Sequence, residues 1–190
     1  QFFEKTNVFI ADGHHRYTTA LKYHEAHPDQ AESSTAMFVL VALQDPGMIV
    51  LPYHRILTGL RGFSIGQAQQ AAEQHGGVTL ERTEHGANQL DQLEASLPES
   101  GHHAMGLYDP DTGRTYRLTT TDADPLREVL PDQPEAWRKL DVAILQHLVI
   151  EGLIQPTVGA EAVGYHYTAE LDELRRQTEA EEGRLGVIMQ

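Results

Sequence analysis

The stretch that decides the fold is residues 8–21, which read VFIADGHHRYTTAL. A short apolar run over residues 8–11 ends in Asp12-Gly13, and a helical pattern starts immediately after it. A short apolar run favours a strand, and Asp-Gly is a common turn dipeptide. The sequence therefore predicts a strand, a tight turn and a helix, with Asp12 or Gly13 at the helix cap.

The predicted helix has an unusual first turn. Its shared face, at the spacing i, i+3, i+4 and i+7, consists of Tyr17, Ala20, Leu21 and His24. The helix should end before Pro28, whose ring disfavours helical geometry at the preceding residue. The first turn carries His14, His15 and Arg16, although the partial positive charge there favours acidic residues. A bound phosphate or carboxylate would make this placement favourable, because helix N–H groups and an Arg would converge on it. The alternative is that the three side chains point into solvent.

Composition excludes several classes of function. The 190 residues carry a formal net charge of −14 and no cysteine, so disulfides and thiolate catalysis are both excluded. An acidic chain is a poor match for nucleic acid, because phosphate contacts dominate that affinity. No apolar run is long enough to span a membrane, and no signal-peptide pattern is visible. We therefore expect a cytoplasmic protein that binds neither nucleic acid nor membrane.

The charge is unevenly spread along the chain. Residues 1–62 contain five Lys or Arg and six Asp or Glu, whereas residues 63–190 contain nine and 22. The first third also holds five of the 11 histidines. It is therefore the part of the chain in which an anionic small molecule is best tolerated.

The length and the ends of the chain bear on its domain organisation. The chain opens on Gln1 without an initiator Met and stops in the strand-like residues 186–190, as expected of a fragment of a longer protein. At this length we expect one α/β domain over residues 1–190, with residues 64–136 as a candidate subdomain. The sequence leaves the oligomeric state open.

Apolar runs and turn residues predict the remaining elements. Residues 36–43 are typical of a strand buried on both faces, and residues 48–51 of a short return strand after a turn. Residues 64–67 form a capping-box pattern that opens a helix. Residues 121–136 are typical of a surface loop. Further helices are expected over 90–97, from a cap at Asp141 and over 169–182. Further strands are expected over 78–80, 104–108, 115–118 and 163–167, and the turn residues 109–113 should join 104–108 and 115–118 in a hairpin. This alternation indicates an α/β or α+β fold with a mixed sheet surrounded by helices.

A second basic pair resembles the first in its position. His54-Arg55 follows a short strand in the same way that His15-Arg16 follows the first one. If both strands lie in one sheet, the two pairs could face one cleft. The alternative is a surface pair that follows Pro52.

The sequence contains few patterns that are typical of metal-binding or nucleotide-binding sites. Zinc and haem are not expected, and no zinc-ligand spacing such as HExxH is present. Mg²⁺ held between Asp12 and a substrate phosphate fits the ligand preferences of a hard cation. Walker A and GxGxxG patterns are absent from the sequence. Thr18 and Thr19 lie one turn into the helix, where a hydroxyl could reach a phosphate oxygen, and at least one is expected to be an ordinary polar residue.

These motifs resemble those of the domain-of-unknown-function family 1015. The resemblance rests on IADGHHRY at residues 10–17 with TAL at 19–21, and on DPGM at 45–48 with LPYHR at 51–55. A later block, residues 140–153, resembles the helical segment of the family, so that the resemblance spans most of residues 7–168. Members of the family typically extend beyond both ends of this chain.

The Asp-Gly-x-His-Arg turn of that family is similar to one in the ParB and sulfiredoxin-like superfamily. There a strand, a Gly-containing turn with Arg and a helix bind nucleotide phosphates, and some relatives of ParB are free-serine kinases. The resemblance implies that Asp12, His15 and Arg16 are site residues and that Gly13 lets the backbone approach the phosphate. Those kinases also use a Glu upstream of the turn, and only Glu4 precedes it here.

The function predicted is the binding of a phosphate-bearing small molecule, a nucleotide above all, with kinase-like phosphoryl transfer to a small hydroxyl compound. The residues expected to contact the phosphate are Gly13, His14, Arg16, Thr19, His54 and Arg55. His15 would donate a hydrogen bond or a proton, and Asp12 would act as a base or as a Mg²⁺ ligand beside ATP or ADP. The alternative from another class is a module that senses a nucleotide or phosphometabolite without turnover. A third reading is a purely structural turn.

Overall fold

The computed structural model describes residues 5–49, 51–159 and 163–190. By its internal contacts the chain falls into two compact units, Gln1–Ile49 and Val50–Gln190. The Asp-Gly-His-His-Arg turn belongs to the first unit and the His54-Arg55 pair to the second. The candidate subdomain over residues 64–136 lies inside the second unit.

The first unit is built around helix α1, His14–Ala26, which is followed by a 3₁₀ turn, Ala31–Ser34. The helix ends two residues before Pro28, so the predicted helix is confirmed. The turn is tied to the helix by a hydrogen bond between His24 Nδ1 and Ser33 Oγ, which lie 3.0 Å apart.

The apolar runs that flank α1 are not strands. Residues 7–10 and 35–42 form no strand with any described residue. Their apolar side chains are largely exposed, Met37 by 94% and Val39 by 84%. The prediction of a doubly buried strand over 36–43 is therefore wrong, and the strand of the strand–turn–helix unit is not formed. A strand needs a neighbour to satisfy its backbone groups, and apolar content alone does not supply one.

The turn after the second of these runs is confirmed. Met48 N–H donates to the Asp45 carbonyl, and Gly47 N–H donates to the Asp45 carboxylate. The return strand predicted over residues 48–51 is not formed by its described residues, and Val50 lies outside them.

An antiparallel sheet organises the second unit. Its strands are β1 (His54–Thr58), β2 (Val78–Gly86), β3 (His102–Asp109), β4 (Arg114–Thr120), β5 (Gly164–Thr168) and β6 (Leu185–Ile188). In the described part of the chain the six strands follow the order β2-β4-β3-β6-β1-β5, and each neighbouring pair is antiparallel. The predicted combination of helices and a sheet is confirmed, but the described strands pair only in antiparallel fashion, so the expectation of a mixed sheet is wrong.

Helices cover both faces of this sheet. They are α2 (Ile65–His75), α3 (Leu90–Ser96), α4 (Glu135–Arg138), α5 (Asp141–Ile144), α6 (Gln155–Val158) and α7 (Leu171–Glu179). A 3₁₀ turn, Leu97–Glu99, follows α3, and a π-helical stretch, Leu145–Ile154, joins α5 to α6. One core cluster packs α2 and the α5–α6 segment against the sheet, and a second cluster packs α3 and α7 against the other face.

Two local predictions for the second unit are confirmed by side-chain hydrogen bonds. At the start of α2, Ser64 and Gln67 make both hydrogen bonds of a capping box. Between β3 and β4, the Asp109 carboxylate accepts from the Asp111 N–H and from the Thr112 hydroxyl. Both features are local in sequence, which is why the residue pattern alone could predict them.

The start of α5 differs from its prediction. Leu140 is the cap residue, and no side chain caps this helix. The Asp141 carboxylate instead accepts a hydrogen bond from His103 Nδ1 at 2.7 Å. The expectation that Asp141 caps the helix is therefore wrong, because a partner distant in sequence takes up its carboxylate.

The segment over residues 121–136 carries a buried ion pair. Asp124 is buried, and its carboxylate accepts hydrogen bonds from Arg138 Nε at 3.0 Å and Nη2 at 2.6 Å. These hydrogen bonds lower the pKa of Asp124 to about 2. Leu126, which follows Asp124 closely in sequence, lies in the hydrophobic core. The predicted surface loop is therefore anchored to the second unit by charge pairing and by apolar contact.

Gly186 leaves room for α7 to pack against the sheet. A Cβ atom at this residue of β6 would lie 2.7 Å from Leu174 Cδ2 and 3.3 Å from Tyr108 Cβ. Protein interiors are close-packed, so a methyl group at such distances displaces its neighbours. Glycine is therefore required here for packing and not for backbone conformation.

Replacing Gly186 by Ala should lower the free energy of unfolding of the second unit by about 1–3 kcal/mol, because the added methyl group pushes α7 off the sheet. Urea unfolding followed by the fluorescence of Trp137, the single tryptophan of the chain, measures this change.

Gly66→Ala is the matched control. A Cβ atom at Gly66, in α2, would meet only Ser64 Oγ, at 3.9 Å. This change should leave stability unchanged or raise it by less than about 1 kcal/mol. An unaltered urea midpoint in Gly186→Ala would contradict the packing argument.

Candidate functional site

The residue before α1 is a glycine in the left-handed conformation. Gly13 has φ 88° and ψ 23°, a conformation that costs most other residues about 1–2 kcal/mol. Tyr17 N–H donates to the Gly13 carbonyl at 2.9 Å, at the start of the helical ladder. No side chain caps the helix, and its first turn holds no acidic residue. The backbone N–H groups of His14, His15 and Arg16 therefore precede that first helical bond.

Asp12 and Arg16 pair across this turn. Arg16 Nη2 donates to Asp12 Oδ2 at 3.1 Å, and both side chains are mostly exposed. An exposed ion pair contributes little to stability, so Arg16 can exchange this carboxylate for another anion at small cost. A Cβ atom at Gly13 would lie 3.0 Å from Arg16 Nη2. Gly13 is thus needed for the backbone turn, and its missing side chain leaves room for the guanidinium where it lies.

An open cleft of about 610 Å³ lies beside this turn, within the first unit. The residues that α1 contributes to its lining are His15, Arg16, Thr19, Ala20 and Tyr23. The 3₁₀ turn and its flanks contribute Gln30, Glu32, Ser33 and Thr35. The structure therefore brings three predicted site residues, His15, Arg16 and Thr19, to one cleft.

Two residues near the turn are not part of this lining. The Thr18 hydroxyl donates to the His14 carbonyl at 2.9 Å, a bond within the helix that leaves Thr19 as the threonine on the cleft. The His14 side chain is exposed. That Thr19 and His14 contact a phosphate stays a prediction.

Six lining residues are not among the predicted site residues: Ala20, Tyr23, Gln30, Glu32, Ser33 and Thr35. Ala20 and Tyr23 had a usable signal, because they lie at i+4 and i+7 from Arg16 and share its helix face. The other four follow Pro28 in a polar stretch without periodicity, so spacing could not indicate which helix face they meet.

The second predicted pair begins β1 in the second unit. His54 is 1% exposed, its Nδ1 accepts from Met189 N–H at 3.1 Å, and its Nε2 lies 3.4 Å from Glu94 Oε1. Because Nδ1 is an acceptor, the neutral ring carries its proton on Nε2. Burial, and then the charge of Arg55, lower the pKa of His54. Burial, and then the charge of Asp91, raise the pKa of Glu94.

Arg55 is engaged with residues of the same unit. Its Nη1 donates to the Tyr53 carbonyl at 2.6 Å, and its Cζ lies 4.4 Å from the centre of the Tyr167 ring. Burial lowers the pKa of Arg55, but an arginine guanidinium remains a cation at neutral pH even so. That His54 and Arg55 contact a phosphate stays a prediction.

Metal binding has limited support in the side chains. Within residues 5–49, 51–159 and 163–190, no three His, Asp or Glu side chains come together in a group that could hold a metal ion. Asp12 offers one carboxylate, and Mg²⁺ there would need oxygens from a phosphate as well. The upstream Glu4 lies outside the described residues. Across the same ranges, no helix is both long and apolar enough to cross a membrane.

Because the buried ring of His54 is neutral, we expect the free energy of unfolding of the second unit to fall in acid. A proton on Nδ1 would face the Met189 N–H, so the folded chain binds this proton less readily than the unfolded chain. The resulting stability is present above the unfolded pKa of 6.5 and is lost as the pH falls from there to the lowered folded value. Urea unfolding at about pH 7.5 and about pH 5.5 measures this loss.

His54→Gln is the comparison, because a glutamine amide can accept from Met189 and donate towards Glu94 without titrating. The raised pKa of Glu94 changes stability in the opposite direction from His54, because the stability that Glu94 contributes is lost as the pH rises. The difference between wild type and variant therefore isolates His54. If the free energy of unfolding changes by the same amount between the two pH values in wild type and in His54→Gln, the loss of stability in acid is not due to His54.

Comparison with known proteins identifies a family but no characterised relative. The sequence profile of the family described as "Protein of unknown function (DUF1015)" matches residues 1–143. The match ends near the start of α5, so it does not reach residue 168, where the predicted resemblance ended. No curated protein and no solved structure matches the chain.

Proposed function

Because the chain belongs to this family of proteins of unknown function, we propose a role from the geometry of the first unit alone. The chain binds the phosphate of a small molecule, a nucleotide above all, in the cleft beside the start of α1. One observation carries this proposal: an uncapped helix start without acidic residues adjoins a cleft lined by His15, Arg16 and Thr19. The N–H groups and dipole of a helix start favour an anion, and a guanidinium binds phosphate oxygens in a bidentate manner.

Each residue of the turn has a defined part in this proposal. Arg16 exchanges the Asp12 carboxylate for phosphate oxygens. The Thr19 hydroxyl and the His15 ring donate further hydrogen bonds from the cleft wall. Gly13 keeps the space beside the guanidinium open and lets the backbone N–H groups approach the ligand.

Phosphoryl transfer to a small hydroxyl compound is the finer form of the proposal. Once Arg16 has moved to the phosphate, Asp12 is released to act as a base or as a Mg²⁺ ligand, and His15 can supply a proton. Such chemistry depends mainly on positioning and charge neutralisation. The residues of the turn, Asp12, His15 and Arg16, resemble those of ParB-like nucleotide-binding units and free-serine kinases, which supports this hypothesis, although the strand that precedes the turn in those units is not formed here.

A sensor without turnover is the second candidate, and the exposure of Asp12 favours it. The Asp12 side chain is 92% exposed, whereas catalytic groups gain most where water is excluded. In a sensor the same turn would report the concentration of a nucleotide or phosphometabolite through binding alone.

Arg16→Ala should weaken ligand binding about tenfold or more, because charged hydrogen bonds to the phosphate are lost. Dye-based thermal shift of the whole chain with nucleotides, pyrophosphate and phosphoamino acids, each with Mg²⁺, identifies the ligand. Isothermal titration then measures its affinity. Lys22→Ala is the control, since it removes a cation of α1 that does not line the cleft. If no probe stabilises the wild type and Arg16→Ala has no effect, the phosphate site is contradicted.

Asp12→Asn separates the enzyme from the sensor. If phosphoryl transfer occurs, ADP release from ATP in the presence of small hydroxyl compounds should fall at least about 100-fold, while nucleotide affinity is retained. Asp29→Asn is the control, because Asp29 is exposed and does not line the cleft, and it should leave the rate of ADP release unaltered. A wild type that binds ATP but never releases ADP would overturn phosphoryl transfer and leave the sensor.

A further inference from the structure

The part of the cleft beyond Arg16 indicates what is attached to the phosphate, an inference that rests on the proposed function. Arg16, Thr19, Ala20 and Tyr23 line the cleft along two turns of one helix face. With a rise of 1.5 Å per residue, Arg16 and Tyr23 are about 10 Å apart along the helix axis. A ligand that contacts both is therefore much longer than a phosphate ion.

Tyr23 is a fixed aromatic ring at this second end. Its hydroxyl donates to Gln30 Oε1 at 3.1 Å, and its ring stacks on His27 with centroids 4.3 Å apart and planes inclined by 26°. The residue is still 51% exposed and lines the cleft. A ring already held by two contacts loses little side-chain freedom when a planar group packs against its uncovered surface.

The charges of the lining differ between the two ends. His15 and Arg16 lie at the start of α1, whereas Glu32 lies in the 3₁₀ turn. The Ser33 hydroxyl of that turn contacts the His24 ring and the His27 carbonyl near the end of α1. An ionised carboxylate only accepts hydrogen bonds, so Glu32 favours amino or hydroxyl donors and disfavours a second anionic group. Between the two ends, the small side chain of Ala20 leaves room for a sugar.

We propose that the cleft binds a nucleotide lengthwise. Its phosphate lies at Arg16, its ribose passes Ala20, its base stacks on Tyr23, and amino or hydroxyl donors of the nucleoside face Glu32. A phosphosugar would lack the stacking group, and a phosphoamino acid would bring a carboxylate towards Glu32.

Isothermal titration of the whole chain with AMP, GMP, ribose 5-phosphate and inorganic phosphate tests this assignment. The better of the two nucleotides should bind at least about fivefold more tightly than ribose 5-phosphate, because base stacking adds affinity. Tyr23→Leu should remove this preference and leave the affinity for ribose 5-phosphate unchanged. Tyr17→Leu is the matched control, since Tyr17 lies on the same helix against Phe38 and does not line the cleft.

Two further variants and a control keep the test independent of folding. Tyr23→Phe retains the ring and loses only the bond to Gln30, so it should retain most of the preference for the nucleotide. Glu32→Gln should weaken nucleotide binding and leave phosphate binding unchanged, whereas Glu25→Gln, on α1 outside the lining, should alter neither.

The outcomes distinguish this inference from the proposed function. Equal affinities for the nucleotides and ribose 5-phosphate, or an equal loss in Tyr23→Phe and Tyr23→Leu, would overturn the nucleoside assignment and leave the phosphate site standing. Binding of none of the four probes, with Arg16→Ala also without effect, would contradict both.

Discussion

Strand β6 joins the two halves of the sheet in the second unit. It pairs with β3 on one side and with β1 on the other, and among the described strands this pairing links β2-β4-β3 to β1-β5 in one sheet. All four of its residues are buried, and Gly186 leaves the space into which α7 packs. The next residue, Met189, donates its N–H to the buried His54 ring. Because the partners of β6 lie far from it in sequence, these contacts form only after long loops have closed.

The first unit depends on a local constraint instead. Gly13 adopts the left-handed conformation before α1, α1 starts without a side-chain cap, and the residues that line the cleft all lie between His15 and Thr35. The basic side chains at the helix start are exposed, so their poor match to the helix dipole costs only a few tenths of a kcal/mol each. That low cost leaves Arg16 able to change partners, a property that a ligand site needs and that a buried ion pair such as Asp124–Arg138 lacks.

The success of sequence reasoning followed the range of the interactions concerned. Helix α1, the capping box at Ser64 and the turn at Asp109 were predicted correctly, because each is set by residues within a few positions. The apolar run over 36–43 was misjudged, since a strand requires a pairing partner and hydrophobicity does not specify one. For Asp141 the local pattern predicts a helix cap, but its carboxylate accepts a hydrogen bond from His103, 38 positions away. The family was recognised from its turn motif, and the matching profile confirms it over residues 1–143.

The sequence by itself determined that a helix starts beside Asp12-Gly13 with three basic residues, because backbone conformation and helix spacing act over a few residues. It also placed His15, Arg16 and Thr19 close enough along one helix to line a common cleft. Only the tertiary structure decided that Glu32 and Ser33 line that cleft too, since this depends on how the chain after Pro28 folds back on α1. Tertiary structure likewise decided that the ring of His54 is buried against Glu94 and Met189. These contacts arise when distant segments pack together, and no spacing along the chain records which segments meet.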